Sequence, residues 1–228
     1  MSAKSKIFTE GLVEVSPHFL SVVPFGVIFG AIGIDLGFGP HITYATSIII
    51  FGGASQIVFL QLLAGGASAL VAITSVGVIN SRHVLYGAVL SDYLDKIANF
   101  KKYLISYFLT DQAFAVSNLY LKENINNQNS YYHILGSGIG LWLSWQIATI
   151  LGIILGSFIP EELGLKFVIP LTFIAMVIPY LKRIDHVLVM LLSGSVAILL
   201  INAPFKSYII LAPLISLISI YTYRKLKK

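Results

Sequence analysis

Long apolar runs joined by short polar connections make up nearly the whole chain. Eight runs lie near 12–35, 41–63, 68–90, 103–121, 133–159, 163–181, 185–201 and 207–223. Each is continuous. A β-strand of a membrane barrel alternates apolar and polar positions instead, so the runs read as helices. About 20 apolar residues in a helix match the thickness of a bilayer core. The pattern predicts an all-α integral membrane protein, a polytopic bundle of about eight transmembrane helices. Seven is the alternative, with 41–63 re-entrant. Residues 1–228 read as a single transmembrane domain, and the polar stretch 122–132 as a solvated loop.

Some runs carry interruptions. The first contains Pro17, Pro24, Gly26, Gly30 and Gly33, and the sixth contains Pro170 and Pro179. Proline removes a backbone donor and clashes with the carbonyl four residues back. Proline and glycine are common in membrane helices, which accounts for isolated cases such as Pro170. The cluster "FGGASQ" at 51–56 is different, because two glycines, a serine and a glutamine adjoin in mid-run. It predicts a helix broken near the membrane centre, where freed backbone groups must line a cavity or be buried in protein. In the fifth run Gly136, Gly140, Ser144, Ala148, Gly152 and Gly156 recur every four residues. Small residues at that spacing let helix backbones approach closely. The stripe therefore packs against another helix of this chain or against a partner subunit. Trp142 and Trp145 lie within it and suit an interface belt or a cavity wall.

Composition agrees. Hydrophobic residues make up 57 %, charged residues 11 %, and the mean hydropathy is +0.86. A soluble domain carries about 25 % charged residues. The net charge of +5 does not indicate nucleic-acid binding, because the basic residues flank apolar runs: Lys4 and Lys6 before the first, Arg224–Lys228 after the last. Such placement marks orientation. The N-terminal run reads as a span rather than a cleaved leader, since apolar segments continue to the end and no small-residue cleavage site stands out. Eight spans with both ends inside leave Lys96, Lys101 and Lys102 outside, against the positive-inside rule. A re-entrant 41–63 brings them in but moves the C-terminal cluster out. There is no cysteine, hence no thiolate or disulfide chemistry. No cofactor and no metal are expected, and neither H-E-x-x-H nor G-x-S-x-G appears.

Three places put polar side chains at depth: 52–56, 80–83 and 109–115. Intramembrane ionisable groups pair with each other or line an aqueous path. On a helix, Asn80, His83 and Gly87 share one face, while Ser75, Arg82 and Tyr86 share nearly the opposite one. The third run is then enclosed by protein or water at that depth, or is interrupted. In the fourth run Tyr107, Asp111 and Asn118 share a face. Arg82 and Asp111 form the obvious ion pair, either structural or active in transport. A helix restarting after Gly52–Gly53 would direct backbone N–H groups at a cavity, a setting suited to a carboxylate. Ser55 and Gln56 would add side-chain hydrogen bonds. The candidate substrate-binding residues are Pro24, Phe25, Gly26, Gly52, Gly53, Ser55, Gln56, Asn80, Arg82 and His83. The candidates for ion coupling are Asp111 and His83, since histidine titrates near neutral pH. Glu14 is a further proton carrier, or an interfacial residue.

These stretches carry a resemblance. "PFGVIFG" (24–30), "GGASQ" (52–56), "NSRHVLYG" (80–87) and "LTDQAFA" (109–115), in that order, resemble the AzlC family of bacterial membrane proteins. The likeness spans essentially the whole chain in length and segment number. It implies the large subunit of a two-part exporter of branched-chain amino acids, some members also handling methionine. It further implies a small AzlD-like partner subunit, a cytoplasmic-membrane location and secondary transport driven by an ion gradient, most simply protons. The competing readings are a channel-like subunit for another small polar solute and a structural subunit of a membrane complex.

Overall fold

A computed structural model describes residues 2–95, 97–125, 127–156, 181, 183–203 and 207–226. Among them every regular element is helical: α1 (Ala3–Val15), α2 (Phe19–Asp35), α3 (Gly39–Ile49), α4 (Gly53–Ala64), α5 (Ala69–Leu94), α6 (Asn99–Phe108), α7 (Asp111–Glu123), α8 (Tyr131–Gly156), α9 (Ile184–Leu199) and α10 (Tyr208–Leu226). The run 163–181, with Pro170 and Pro179, lies outside the described residues. So do Lys96, Lys182, Lys227 and Lys228.

By length and composition, three described stretches can cross a membrane: Ala3–Asp35, Ala69–Leu94 and Tyr131–Gly156. The first begins well before the apolar run at 12, so Lys4 and Lys6 lie inside α1. A 3-10 turn, Ser16–His18, joins α1 to α2. Pro17 falls in its first positions, where a missing N–H leaves nothing unpaired. Pro24 sits inside α2 without ending it.

The described residues within Met1–Ile57 and Ile79–Ile159 form one compact unit, and those within Val58–Val78 and Pro160–Lys228 a second. In the first unit α1 and α2 pack along α8. The close approaches fall at the small residues. Gly136 lies against the Phe8 carbonyl, Gly140 against Leu12, Gly152 against the Val27 carbonyl and Gly156 against Ala31. Ala148 meets Gly26, and from the other side Gly11 meets the His133 carbonyl and Gly30 the Thr149 carbonyl. The four-residue stripe thus faces helices of its own chain.

The fourth apolar run is not one helix. Leu109 and Thr110 are extended, at ψ 102° and 174°, and separate α6 from α7. Thr110 caps α7 by accepting from Ala113 N–H at 3.4 Å. The outer ends of the two helices return to the same place. Lys101 Nζ donates to Tyr131 Oη at 2.8 Å, and Lys4, Asp92, Lys101, Asn127 and Tyr131 line one polar pocket of about 410 Å³. Leu121 of α7 shares an apolar cluster with Ile105 of α6, Leu90 of α5 and Ile134 of α8. Residues 103–121 therefore enter and leave at one end of this unit, where the apolar pattern predicted a crossing. The run 41–63 is likewise two short helices, 11 and 12 residues long.

In the second unit α9 packs against α10. Asp185, at the start of α9, pairs with Arg183 and with Arg224 at the end of α10. Leu62, Ala67 and Ala72 form a small core with Phe59 and Val71.

Candidate substrate site and polar core

The break between α3 and α4 is closed by side chains of neighbouring helices. Phe51 has φ +39°, rare for a bulky side chain. The last carbonyls of a helix have no partner within it. Here side chains from neighbouring helices take them. Tyr107 donates to the Ile48 carbonyl at 2.6 Å and accepts from Trp142 Nε1 at 2.8 Å. Gln146 Nε2 donates to the Ser47 carbonyl at 3.4 Å, and the Ser47 and Thr149 hydroxyls lie 3.1 Å apart. Beyond the break Gly52 heads α4. Its carbonyl accepts from Gln56 N–H at 2.9 Å and from the Ser55 hydroxyl at 2.7 Å. Its own N–H donates to Gln56 Oε1 at 3.1 Å.

That arrangement corrects one expectation. The Ser55 hydroxyl turns back onto the backbone rather than towards a ligand, because a short side chain beside a helix start reaches the nearest carbonyl first. Gln56 is only half committed. Its Oε1 is bonded, its Nε2 has no protein partner, and the residue has no exposed surface. The N–H groups of Gly53, Ala54 and Ser55 have no partner within α4.

Around this start the sequence-predicted residues assemble. A Cβ on Gly52 would lie 2.6 Å from Ser55 Oγ and 3.1 Å from Asn80 Oδ1, so only glycine admits the Asn80 amide. Gly53 lies against the Phe25 ring and Trp145, and Gly26 against Trp145 and Ala148. The Trp145 ring is tilted on Phe25 at 5.7 Å and stacked on Phe29 at 5.8 Å. Pro24 precedes this wall within α2. Two further polar atoms are buried without a protein partner: Trp145 Nε1, a donor, and Asn80 Oδ1, an acceptor.

The ion pair forms a second cluster. Arg82 Nη1 lies 2.8 Å from Asp111 Oδ2, and Tyr86 donates to Asp111 Oδ1 at 2.6 Å. Tyr86 stacks on Phe114 at 4.5 Å, with His83 5.9 Å away. The Arg82 and Asp111 side chains are 32 % and 38 % exposed, so the pair is open on one side. One expectation fails here. Tyr107, Asp111 and Asn118 do not share a helix face, because the chain breaks at Leu109–Thr110 and sends Tyr107 to α3. α5 runs uninterrupted past Arg82, with Val84 and Leu85 exposed, so of the alternatives for that depth the interruption is excluded.

One cluster was missed. His133, not His83, is the histidine with no exposed surface. Its Nδ1 lies 3.0 Å from Ser117 Oγ and its Nε2 3.2 Å from Glu14 Oε2. Ser117 Oγ is 3.0 Å from Ser137 Oγ, and Tyr120 stacks on the ring at 4.1 Å. The one local signal was Ser137 four residues after His133, on the same helix face.

Residues 17–159, which hold all of these clusters except Glu14, match the AzlC protein family. The chain belongs to the AzlC family. It is 32 % identical over 185 residues to the inner membrane protein YgaZ of Escherichia coli, covering 78 % of this chain and 75 % of that one. An uncharacterized membrane protein of Archaeoglobus fulgidus is 30 % identical over 200 residues, covering 86 % and 85 %. The branched-chain amino acid transport protein AzlC of Bacillus subtilis is 25 % identical over 191 residues, covering 82 % and 74 %. No solved structure matches the chain. An AzlC-family chain with three apolar helices of spanning length is a helical membrane protein.

Proposed function

We propose that this AzlC-family protein is the large subunit of a secondary transporter. It exports the branched-chain amino acids leucine, isoleucine and valine, with methionine as a further substrate to test, across the cytoplasmic membrane, driven by protons and working with a small AzlD-like subunit. The substrate-class reading is supported by the name of the Bacillus subtilis relative, and the location by that of the Escherichia coli relative.

The observation that carries the reading is the chemistry at the α4 start. Buried donors there, the first N–H groups of α4 with Gln56 Nε2, suit a carboxylate at a helix N-terminus. A buried acceptor, Asn80 Oδ1, suits an ammonium. Phe25, Phe29 and Trp145 offer an apolar wall to a branched side chain. A site with both polarities and an apolar wall fits a zwitterion better than an inorganic ion. Arg82, held by Asp111 on an open side, is the cation that a passing carboxylate would exchange onto.

Competition tests this directly. Leucine, isoleucine and valine should compete with radiolabelled leucine in reconstituted vesicles. Isoamylamine, which lacks the carboxylate, and isocaproate, which lacks the ammonium, should not. Equal competition by either truncated analogue would remove the zwitterion site.

A further inference from the structure

The Glu14–His133–Ser117–Ser137 cluster has more to say than its burial. Ser137 Oγ donates to the Ile134 carbonyl at 3.1 Å. A hydroxyl carries one hydrogen. With that of Ser137 spent on Ile134, only Ser117 supplies the hydrogen between the two hydroxyls. Ser117 then has none left for the imidazole, so Nδ1 carries the hydrogen of that bond. Nε2 and the Glu14 oxygen, 3.2 Å apart, then need one more proton between them. In this order the pair is an imidazolium against a carboxylate, or its neutral equivalent.

The opposite order is also complete. Ser137 donates to Ser117, Ser117 donates to Nδ1, and the neutral ring donates from Nε2 to the ionised Glu14. Only two hydroxyl hydrogens rotate. The one bond lost is the second one to the Ile134 carbonyl, which already accepts an N–H within α8. The cluster holds either of two proton counts with every ring nitrogen bonded, and the pair moves between a net charge of minus one and zero.

The groups facing the ring are few. α1 contributes Glu14 and, further along, Glu10, whose charge also reaches the ring. α7 contributes Ser117 and Tyr120, and α8 Ser137. The Glu14 side chain is 46 % exposed and forms the open end. The sequence carboxylate, imidazole, hydroxyl is also that of a nucleophilic triad. Ser117 has no exposed surface and is hydrogen-bonded to Ser137, so no acyl group could reach it.

We infer that Glu14 and His133, with the Ser117 and Ser137 hydroxyls, form a one-proton site, and that α7 links it to the Arg82–Asp111 pair. Ser117 follows Asp111 by six residues on one helix, about 9 Å along its axis. A proton taken up from water at Glu14 re-orders the hydroxyl of Ser117 in the middle of α7, and α7 carries Asp111 at its N-terminus. The inference rests on the proton-driven export proposed above and places coupling at Glu14 and His133 rather than at His83.

Two measurements on the full-length protein in lipid nanodiscs and vesicles test it. The first is ¹⁵N-histidine NMR, with the His133 signal assigned by its loss in His133→Gln. It should change protonation state between about pH 5 and 8. A ring fixed in one state and one tautomer across that range overturns the proton site, whatever the substrate. The second is the pH profile of leucine counterflow. The wild-type rate should change roughly tenfold across the range, and His133→Gln and Glu14→Gln should flatten the profile. Variants that lower the rate at every pH and keep its shape overturn the coupling. Glu14→Gln sits on the open side and retains a hydrogen-bond acceptor, so it carries the test should His133→Gln not fold. A wild type with no leucine counterflow sinks the export reading and leaves the NMR titration to decide the proton site.

Discussion

Arg82 has two hydrogen-bonding edges and one partner in view. Asp111 takes one Nη, Tyr86 holds the far oxygen of Asp111, and Arg82 Nε is buried without a protein partner. A guanidinium in that setting is positioned by Asp111 yet has room for a second carboxylate. Arg82→Ala should therefore abolish leucine export while the protein still reaches the membrane, read by export from cells alongside an immunoblot of the membrane fraction. Arg82→Lys should not restore it, because an ammonium cannot make the two-point contact. Normal export in either variant removes Arg82 from the transport path. The pair was legible in the sequence because opposite charges in neighbouring apolar runs have few other partners. His133 was not legible as a buried group. Its partners come from α1, α7 and α8, and the one local signal, Ser137 on the same helix face, does not by itself separate a buried histidine from one at the edge of a polar loop. The direction of Ser55 was illegible for another reason: it depends on where the helix begins, which puts the Gly52 carbonyl within reach of its hydroxyl.

At the scale of elements, two breaks organise the first unit, and they differ in how visible they were. The one at Gly52 shows as a cluster of glycines and polar residues in an apolar run. The one at Thr110 has neither glycine nor proline. Its signal is Thr110–Asp111, an N-cap residue followed by an acid in the first turn, which is how a helix begins. In an apolar run that signal was overridden by hydropathy. The first break depends on Tyr107, which closes both the Ile48 carbonyl and Trp142 Nε1. Tyr107→Phe should destabilise the protein by about 0.5–1.5 kcal/mol, the net worth of a hydrogen bond that is not fully buried. The α8 stripe makes a companion prediction. Gly136→Val and Gly152→Val drive a side chain into the Phe8 and Val27 carbonyls. Each should cost about 1–3 kcal/mol or more, since the obstruction is backbone. Thermal unfolding in detergent reads all three, and a melting temperature unchanged in Gly152→Val contradicts the packing described.

For the whole molecule, the pocket at the outer ends of α6 and α7 bears on a conflict in the charge pattern. Eight crossings left Lys101 and Lys102 on the side opposite Lys4. In the structure Lys4, Lys101 and Asn127 line one pocket, so these lysines sit together, as the positive-inside rule asks. If α3–α4 returns in the same way, each half being too short to cross a core of about 30 Å, the lysines that follow α5 come to the side of Lys4. The chain has no cysteine, so Lys102→Cys and Gln128→Cys can be labelled singly in intact cells. Both should react only with reagent admitted to the cytoplasm. Labelling of positions 102 and 128 from opposite sides would restore the crossing at 103–121. The all-helical membrane character was readable from hydropathy alone, because apolar length and backbone satisfaction leave few alternatives. The number of crossings was not, because a returning pair of half-helices and one full span have nearly the same apolar content.

The central claim is that this chain moves branched-chain amino acids by a carrier mechanism. Counterflow of radiolabelled leucine in proteoliposomes, with and without a co-expressed small subunit, tests it most directly. Vesicles loaded with unlabelled leucine should transiently concentrate the label when the small subunit is present, and the flux should saturate. Label that equilibrates without an overshoot would indicate a channel, and no leucine movement in the assembled pair would contradict the account.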